Sequence, residues 1–311
     1  MQRMTPSFTR SMTDTPFIYF GGDSHMAGDE LADDTLQCWK DIYGEYRNTS
    51  ADINTHVTQY IPAKNNEIHL WTPEQFQEYR RCQRDRHWTT IVCDEHGIKH
   101  HNDGLSGSSQ EAVLHRAILS FDKFERAGNV PTLAIIQLTP PDRVTVYDDR
   151  PMSRKAHHIF YRTQMNEQFG FDTSFIFNFN PHMTGVASPY CLAHMDVESE
   201  TGNIVRWLTT LAITNSFFKE KTGRYPIYVS CFKNSAAVYL NTASNNETIS
   251  SSPGYQSLVT QSRVHTINHD IWNLGHEQHL ICPGQHHTPQ THANFAQFIA
   301  PHLLQELNNG S

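Results

Sequence analysis

The chain is predicted to fold as an α/β protein, a sandwich of helices around a mainly parallel sheet, and three observations carry that prediction. Thr132-Leu133-Ala134-Ile135-Ile136-Gln137-Leu138 is the clearest strand, an apolar run of the kind expected for a strand covered on both faces. Phe17-Ile18-Tyr19-Phe20 is a second such run, bounded by Pro16 before it and Gly21-Gly22 after it, so a short buried strand breaks there into a tight turn. Strand-like runs alternate along the chain with stretches of helical periodicity, which implies α/β layering.

Taken in order, residues 1–15 are polar and read as a lead-in without the apolar centre of a signal peptide. Residues 16–309 read as one domain. After the Gly-Gly turn, Leu31, Leu36, Trp39, Ile42 and Tyr43 recur at roughly helical spacing and predict a helix over 31–46. Thr72 followed by Pro73 marks the start of another helix, which runs into Arg80, Arg81, Arg84 and Arg86, read as a solvated face, with a clamp for an acidic or phosphorylated substrate as the alternative. Thr89 to Cys93 reads as a strand. Ser108 and Glu111 have the spacing of a capping box, ahead of the apolar helical face Val113, Leu114, Ala117, Ile118, Phe121 and Phe124. Residues 144–200 interleave aromatic, Asn and Pro residues and are read as a cap inserted over a site, with an ordinary excursion as the alternative. A helix over Asn203–Lys221 ends at Gly223, Tyr225 to Cys231 reads as a strand, and 241–252 as a polar loop. Thr288 and Pro289 open a C-terminal helix bearing Phe295, Ala296, Ile299, Leu303 and Leu307.

Composition narrows the function. The 311 residues carry a formal net charge of −8, with 18% charged, so no broad surface attracts nucleic acid or anionic lipid. No apolar segment approaches the length of a membrane span, and the chain reads as soluble and, by default, cytoplasmic. The six cysteines lie far apart without a Cys-x-x-Cys pair, which favours reduced thiols over a disulfide framework or zinc knuckle. Histidine is abundant, 20 residues with doublets at His100-His101, His157-His158 and His286-His287. Most are scattered through polar loops, and the reading carries no metal and no cofactor.

Chemistry is expected at Ser24. Behind Gly21-Gly22-Asp23 it would sit at the carboxyl end of a strand, where open α/β sheets place their ligands. A second turn, Asn102-Asp103-Gly104-Leu105-Ser106-Gly107, feeds a helix N-terminus whose free N–H groups suit a developing negative charge.

These motifs, in this order, resemble the SGNH (GDSL-type) hydrolases, a family of esterases, lipases and acyl-group hydrolases with a flavodoxin-like three-layer α/β/α sandwich. Gly22-Asp23-Ser24 with Gly28 matches the block that carries the nucleophile. The resemblance places an oxyanion-hole glycine on Gly107 and the catalytic histidine on His286, with His287 as fallback and His292 six residues later. Two positions depart from the family pattern. In Thr139-Pro140-Pro141-Asp142, Asp142 matches but Pro141 replaces the oxyanion Asn, leaving Asn102 as a nearby amide that could substitute. Pro283 and Gly284 occupy the places of the acid that normally precedes the histidine. Either a Ser24–His286 dyad operates, or an acid such as Glu277 or Asp270 serves from elsewhere in the sequence.

The implied reaction is hydrolysis of a carboxylic ester, removing an acyl or acetyl group from a small molecule or a glycan. Aromatic residues at 175–190 favour acetylated glycans over lipids. Two other readings stay open on the residues: an SGNH-like module that binds carbohydrate or protein without catalysis, and a metal-dependent enzyme using His194-Met195-Asp196 with His265 or His269. No nucleic-acid or membrane partner is expected, and the oligomeric state is not legible.

Overall fold

The computed structural model describes residues 15–44, 55–104, 108–141, 143–148, 175–179, 199–230, 241–262, 264, 271, 282 and 286–309. Its strands are β1 (Phe17–Gly21), β2 (Lys99–Asn102), β3 (Leu133–Leu138), β4 (Val144–Asp148), β5 (Phe175–Phe179) and β6 (Ile227–Ser230). The helices are α1 (Ser24–Ala27), α2 (Gln37–Tyr43), α3 (Ile61–His69), α4 (Pro73–Asp85), α5 (Trp88–Glu95), α6 (Gln110–Arg126), α7 (Glu200–Thr222), α8 (Glu247–Ser251), α9 (Pro253–Gln261) and α10 (Pro289–Asn308).

Four strands form one parallel sheet in the order β2-β1-β3-β6. Because side chains alternate across a strand, each buried strand supplies both faces. Ile18, Phe20, Leu133, Ile135, Ile227 and Val229 pack with Trp88 and Val92 of α5 and with Phe295, Ile299 and Leu303 of α10. Tyr19, Ala134, Ile136, Leu138 and Tyr228 face the other way, onto Val113, Ala117 and Phe121 of α6 and Ile204, Trp207, Leu208 and Leu211 of α7. The result is a three-layer α/β/α sandwich, the class that the apolar runs predict. Burying a side chain of this size contributes roughly 1.5–3 kcal/mol, so the doubly covered strands carry much of the apolar burial among the described residues.

Several local signals hold as well. Thr72 and Gln75 make a reciprocal capping box at the start of α4. Thr288 caps α10, accepting from the N–H of Thr291 at 3.3 Å, and Gly223 ends α7 with φ of +77°, a conformation that glycine adopts without strain.

Others are corrected. Thr89 to Cys93 is helical, within α5: the His87 ring accepts from the N–H of Thr89, and Trp88, Thr89, Val92 and Cys93 form one buried helical stripe. Tertiary packing here overrides the strand preference of a Thr-Thr-Ile-Val run. The cap of α6 is Ser109, one residue later than expected, accepting from the N–H of Ala112. The helix expected over 31–46 is a 3₁₀ turn at Asp33–Thr35 followed by the shorter α2. The expected loop at 241–252 contains α8, capped by Asn246. Within 144–200, β4 and β5 pair antiparallel, whereas most of the expected cap lies outside the described residues. No helix among the described residues is long and apolar enough to cross a membrane.

A satellite core of Leu36, Trp39, Tyr43, Tyr60 and Tyr79 joins α2 and α4 to a π-helical turn at His56–Tyr60. Asp33 sits fully buried beside it, accepting from the hydroxyls of Tyr60 and Tyr79 and from Lys64 Nζ at 2.8 and 2.9 Å.

Candidate active site

The turn after β1 is built by close backbone approach. A Cβ on Gly22 would lie 2.6 Å from Gln137 Oε1 and 2.6 Å from Met26 Cβ. Without it, Gln137 of β3 reaches in: its Oε1 accepts from the N–H groups of Asp23 and Met26 at 3.2 and 3.1 Å, and its Nε2 donates to Asp23 Oδ1 at 2.5 Å. Asp23 Oδ1 also accepts from the N–H of His25 at 3.0 Å, and Oδ2 accepts from Arg143 Nη1 at 2.5 Å. Buried Arg116 ties the turn to the β2 loop, donating to the carbonyls of Gly22 and Asp103 at 2.8 and 3.0 Å. These contacts place the backbone of Ser24 at the start of α1. It stands at the carboxyl end of β1, beside β3, where the strand order reverses and α/β sheets hold ligands.

The His286-His287 segment comes to this turn from the other end of the chain. The ring of His25, the residue after Ser24, lies with its centroid 5.0 Å from that of His286 and 4.9 Å from that of His287. His25 Nδ1 and His287 Nδ1 are 3.1 Å apart. Behind His286 stands Glu30. Its Oε2 accepts from His286 Nδ1 at 2.8 Å and from the His286 backbone N–H at 3.4 Å. With the ring proton held on Nδ1, Nε2 of His286 is the nitrogen that can accept a proton, the arrangement of a histidine backed by a carboxylate.

Glu30 is 3% exposed and has φ of +66°, the one non-glycine residue with positive φ among the described residues. A left-handed conformation at a residue other than glycine persists where surrounding contacts over-determine it, and such residues cluster at functional sites. Burial alone would raise the Glu30 pKa. The hydrogen bond from His286 and the charges of His286, His56 and Lys64 together lower it. Burial likewise opposes protonation of His286, but the hydrogen bond to Glu30 and the charges of Glu30, Asp29 and Asp23 raise its pKa above the ordinary imidazole value.

Three surrounding histidines, His25, His87 and His292, are held below the ordinary imidazole pKa. Burial, followed by the charges of His286, Arg143 and His87, pushes His25 well below the ordinary range. Burial lowers His87 to about 4; its Nδ1 accepts from the N–H of Thr89 at 3.2 Å, so Nε2 donates to the carbonyl of His25 at 2.9 Å. Burial, then His87 and His287, lowers His292, whose Nδ1 accepts from the N–H of Trp88 at 3.3 Å. The His286 ring is thus tuned upward beside His25, His87 and His292, which are tuned downward, and opposed shifts of this kind mark a candidate functional site.

The sequence-derived site residues fall as follows. Asp23, His286 and His287 meet at the turn whose backbone carries Ser24. Asp23 is fully buried and its carboxylate is spent on Gln137, His25 and Arg143. Asn102 donates to the carbonyl of Met26 at 2.8 Å and to Thr89 Oγ1 at 3.3 Å, which ties its amide to the end of α1. Gly107, Asp142, Glu277, Asp270, His194, Asp196, His265 and His269 lie outside the described residues. Among the described residues no group of three or more His, Cys, Asp or Glu side chains is arranged to hold a metal. Glu30 is the residue that sequence reasoning missed. Its one signal was an acidic residue six positions after Ser24, in a stretch otherwise read only for helical periodicity.

No protein-family model matches the chain, and comparison with curated protein sequences finds no match. Among solved structures it is similar to the psychrotrophic esterase EstA from Pseudoalteromonas sp., at 11% identity over 94% of this chain and 98% of that one, with a TM-score of 0.40. It is also similar to the acetyl xylan esterase Est2A from Butyrivibrio proteoclasticus, at 10% identity over 94% of this chain and 64% of that one, TM-score 0.43. A third is LAE5, an α/β hydrolase from the metagenome of Lake Arreo, at 11% identity over 92% and 94% of the two chains, TM-score 0.32.

Proposed function

We propose that the protein is a serine hydrolase of carboxylic esters, with Ser24 as nucleophile, His286 as general base and Glu30 as the acid behind it. The observation that carries this reading is the 2.8 Å contact from His286 Nδ1 to a buried Glu30, brought to the turn that Ser24 opens. His286 Nε2 takes the Ser24 hydroxyl proton as Oγ bonds to the ester carbonyl carbon. The oxyanion is assigned to the N–H groups of Ser24 and Gly107; those of Asp23, His25 and Met26 are already used within the turn. The imidazolium, stabilised by Glu30, returns the proton to the departing alkoxide, and the alcohol leaves. Water then gives its proton to His286 and attacks the acyl carbon, releasing the acid and regenerating Ser24.

Asp23 acts on the backbone of this turn rather than on substrate, and His287 holds the His25 ring alongside His286. The substrates are small acyl esters, with acetylated glycans the class that the aromatic residues at 175–190 favour. The test is hydrolysis of p-nitrophenyl acetate together with intact-mass analysis after fluorophosphonate treatment. One adduct and a measurable rate are expected, both lost in Ser24→Ala. Saturable glycan binding without hydrolysis, unchanged in Ser24→Ala, would instead establish a non-catalytic binding module.

A further inference from the structure

We infer that His56 is a positioning residue for the proposed reaction, fixing the Glu30 carboxylate so that one oxygen is presented to His286; this rests on the serine-hydrolase reading. Glu30 uses its two oxygens differently. Oε2 faces His286 Nδ1 at 2.8 Å, while Oε1 lies 3.4 Å from His56 Nε2. The other ring nitrogen of His56, Nδ1, is 3.1 Å from the hydroxyl of Tyr43. The Tyr43 ring is stacked on the imidazole, with centroids 6.3 Å apart and planes at 20°. His56 is 6% exposed and Tyr43 9%.

The polarity of this chain is set at both ends. Glu30, its pKa lowered against burial by His286, His56 and Lys64, is an ionised carboxylate that can only accept. The ring nitrogen facing it therefore carries the proton, and Nδ1 is left to accept from the hydroxyl of Tyr43, which burial and the charges of Glu30 and Asp33 keep protonated. The His56 proton then resides on Nε2, the nitrogen 3.4 Å from Glu30 Oε1. Burial outweighs Glu30 and Asp33 in lowering the pKa of His56, so the ring stays a neutral donor while His286 gains a proton. The charged and titratable groups acting on His56 are Glu30, Tyr43, Asp33, Lys64 and His286; those acting on His286 are Glu30, Asp29, Asp23, His25, His56 and His292. Local backbone geometry agrees: His56 opens the π-helical turn, its carbonyl accepting from the N–H of Ile61 five residues on. Single π turns within helices are frequent at functional sites.

Without the His56 ring facing Oε1 the Glu30 carboxylate is oriented less firmly, and His286 would lose part of the interaction that keeps its pKa above the ordinary value. The experiment is a histidine ¹⁵N NMR titration of the full chain, with the His286 signal assigned by its loss in His286→Asn, alongside kcat and KM for p-nitrophenyl acetate. In His56→Ala the His286 pKa is expected to fall by about one unit, in line with weakening of a close opposite charge, and kcat by about tenfold at unchanged KM. His56→Gln, which can again place an N–H near Glu30 Oε1, is expected to restore both within about threefold. A His286 pKa unmoved in a folded His56→Ala, or moved equally in both variants, overturns the inference. Because the titration does not depend on turnover, it decides the inference even if Ser24→Ala shows that the hydrolase reading is wrong.

Discussion

Replacing Glu30 by glutamine removes one charge while nearly preserving shape. Glu30 is buried, and its carboxylate meets His286 Nδ1 at 2.8 Å. The imidazolium formed when His286 takes the serine proton therefore has its ring centre about 4 Å from the accepting carboxylate oxygen. At an effective dielectric of about 20 this is worth about 4 kcal/mol, or about 10³ in rate. The amide can also turn an N–H toward Nδ1, which would place the ring proton on Nε2, where the base is needed. A tautomer set wrongly in this way has cost about 10⁴ in a serine protease. We expect Glu30→Gln to lower kcat/KM for p-nitrophenyl acetate by 10³–10⁴, with ~10³ from charge alone. The assay belongs at pH 8, after circular dichroism has shown that the variant is folded. A folded Glu30→Gln within threefold of the parent would refute the assignment of Glu30.

Other expectations follow from the same contacts. Esterase activity should fall on the acid side with an apparent pKa above the ordinary value of His, because the raised pKa belongs to the base that must be unprotonated; a kcat/KM profile flat down to pH 5.5 would contradict it. Stability should fall with acidification. His87 titrates at about 4 in the fold and near 6.5 when unfolded, so between those values the unfolded chain binds the extra proton and stability rises with pH, by ~3 kcal/mol in all for His87. Urea midpoints measured from pH 7 to 4 should show this. The His286–Glu30 pair acts oppositely at the alkaline end: its raised imidazole pKa contributes stability below the unfolded value and loses it as pH rises through the folded one. Gly104→Ala should cost about 1–3 kcal/mol and at least tenfold in activity, since its Cβ would lie 2.3 Å from the Met26 carbonyl carbon and the Ala27 nitrogen at the end of α1.

What the sequence made legible follows from where local and tertiary signals agree. β1 and β3 are apolar runs closed by Gly and Pro, and they proved to be central, doubly covered strands. Thr72, Gly223 and Thr288 are caps whose chemistry needs no distant partner. The failures are of the opposite kind. Lys99-His100-His101-Asn102 becomes β2 because β1 offers its edge, although no apolar pattern marks it. Thr89 to Cys93 carries strand-forming residues and is helical because Trp88 and Val92 are needed against α10.

The candidate site divides the same way. Ser24 and His286 stand in local motifs and could be named from the chain. Glu30 and His56 bear no motif, and only folding brings them to His286. Pro283 and Gly284 carry no acid at the spacing that the resemblance implies, whereas the carboxylate that meets His286 Nδ1 stands at a left-handed position six residues after the serine.

If His286, backed by Glu30, serves Ser24, a crystal structure of the fluorophosphonate-treated protein will show phosphorus bonded to Ser24 Oγ, His286 Nε2 within about 3.2 Å of an oxygen on the adduct, and Nδ1 still on Glu30. Phosphorus on another residue, or a His286 ring turned away from the adduct, would contradict it.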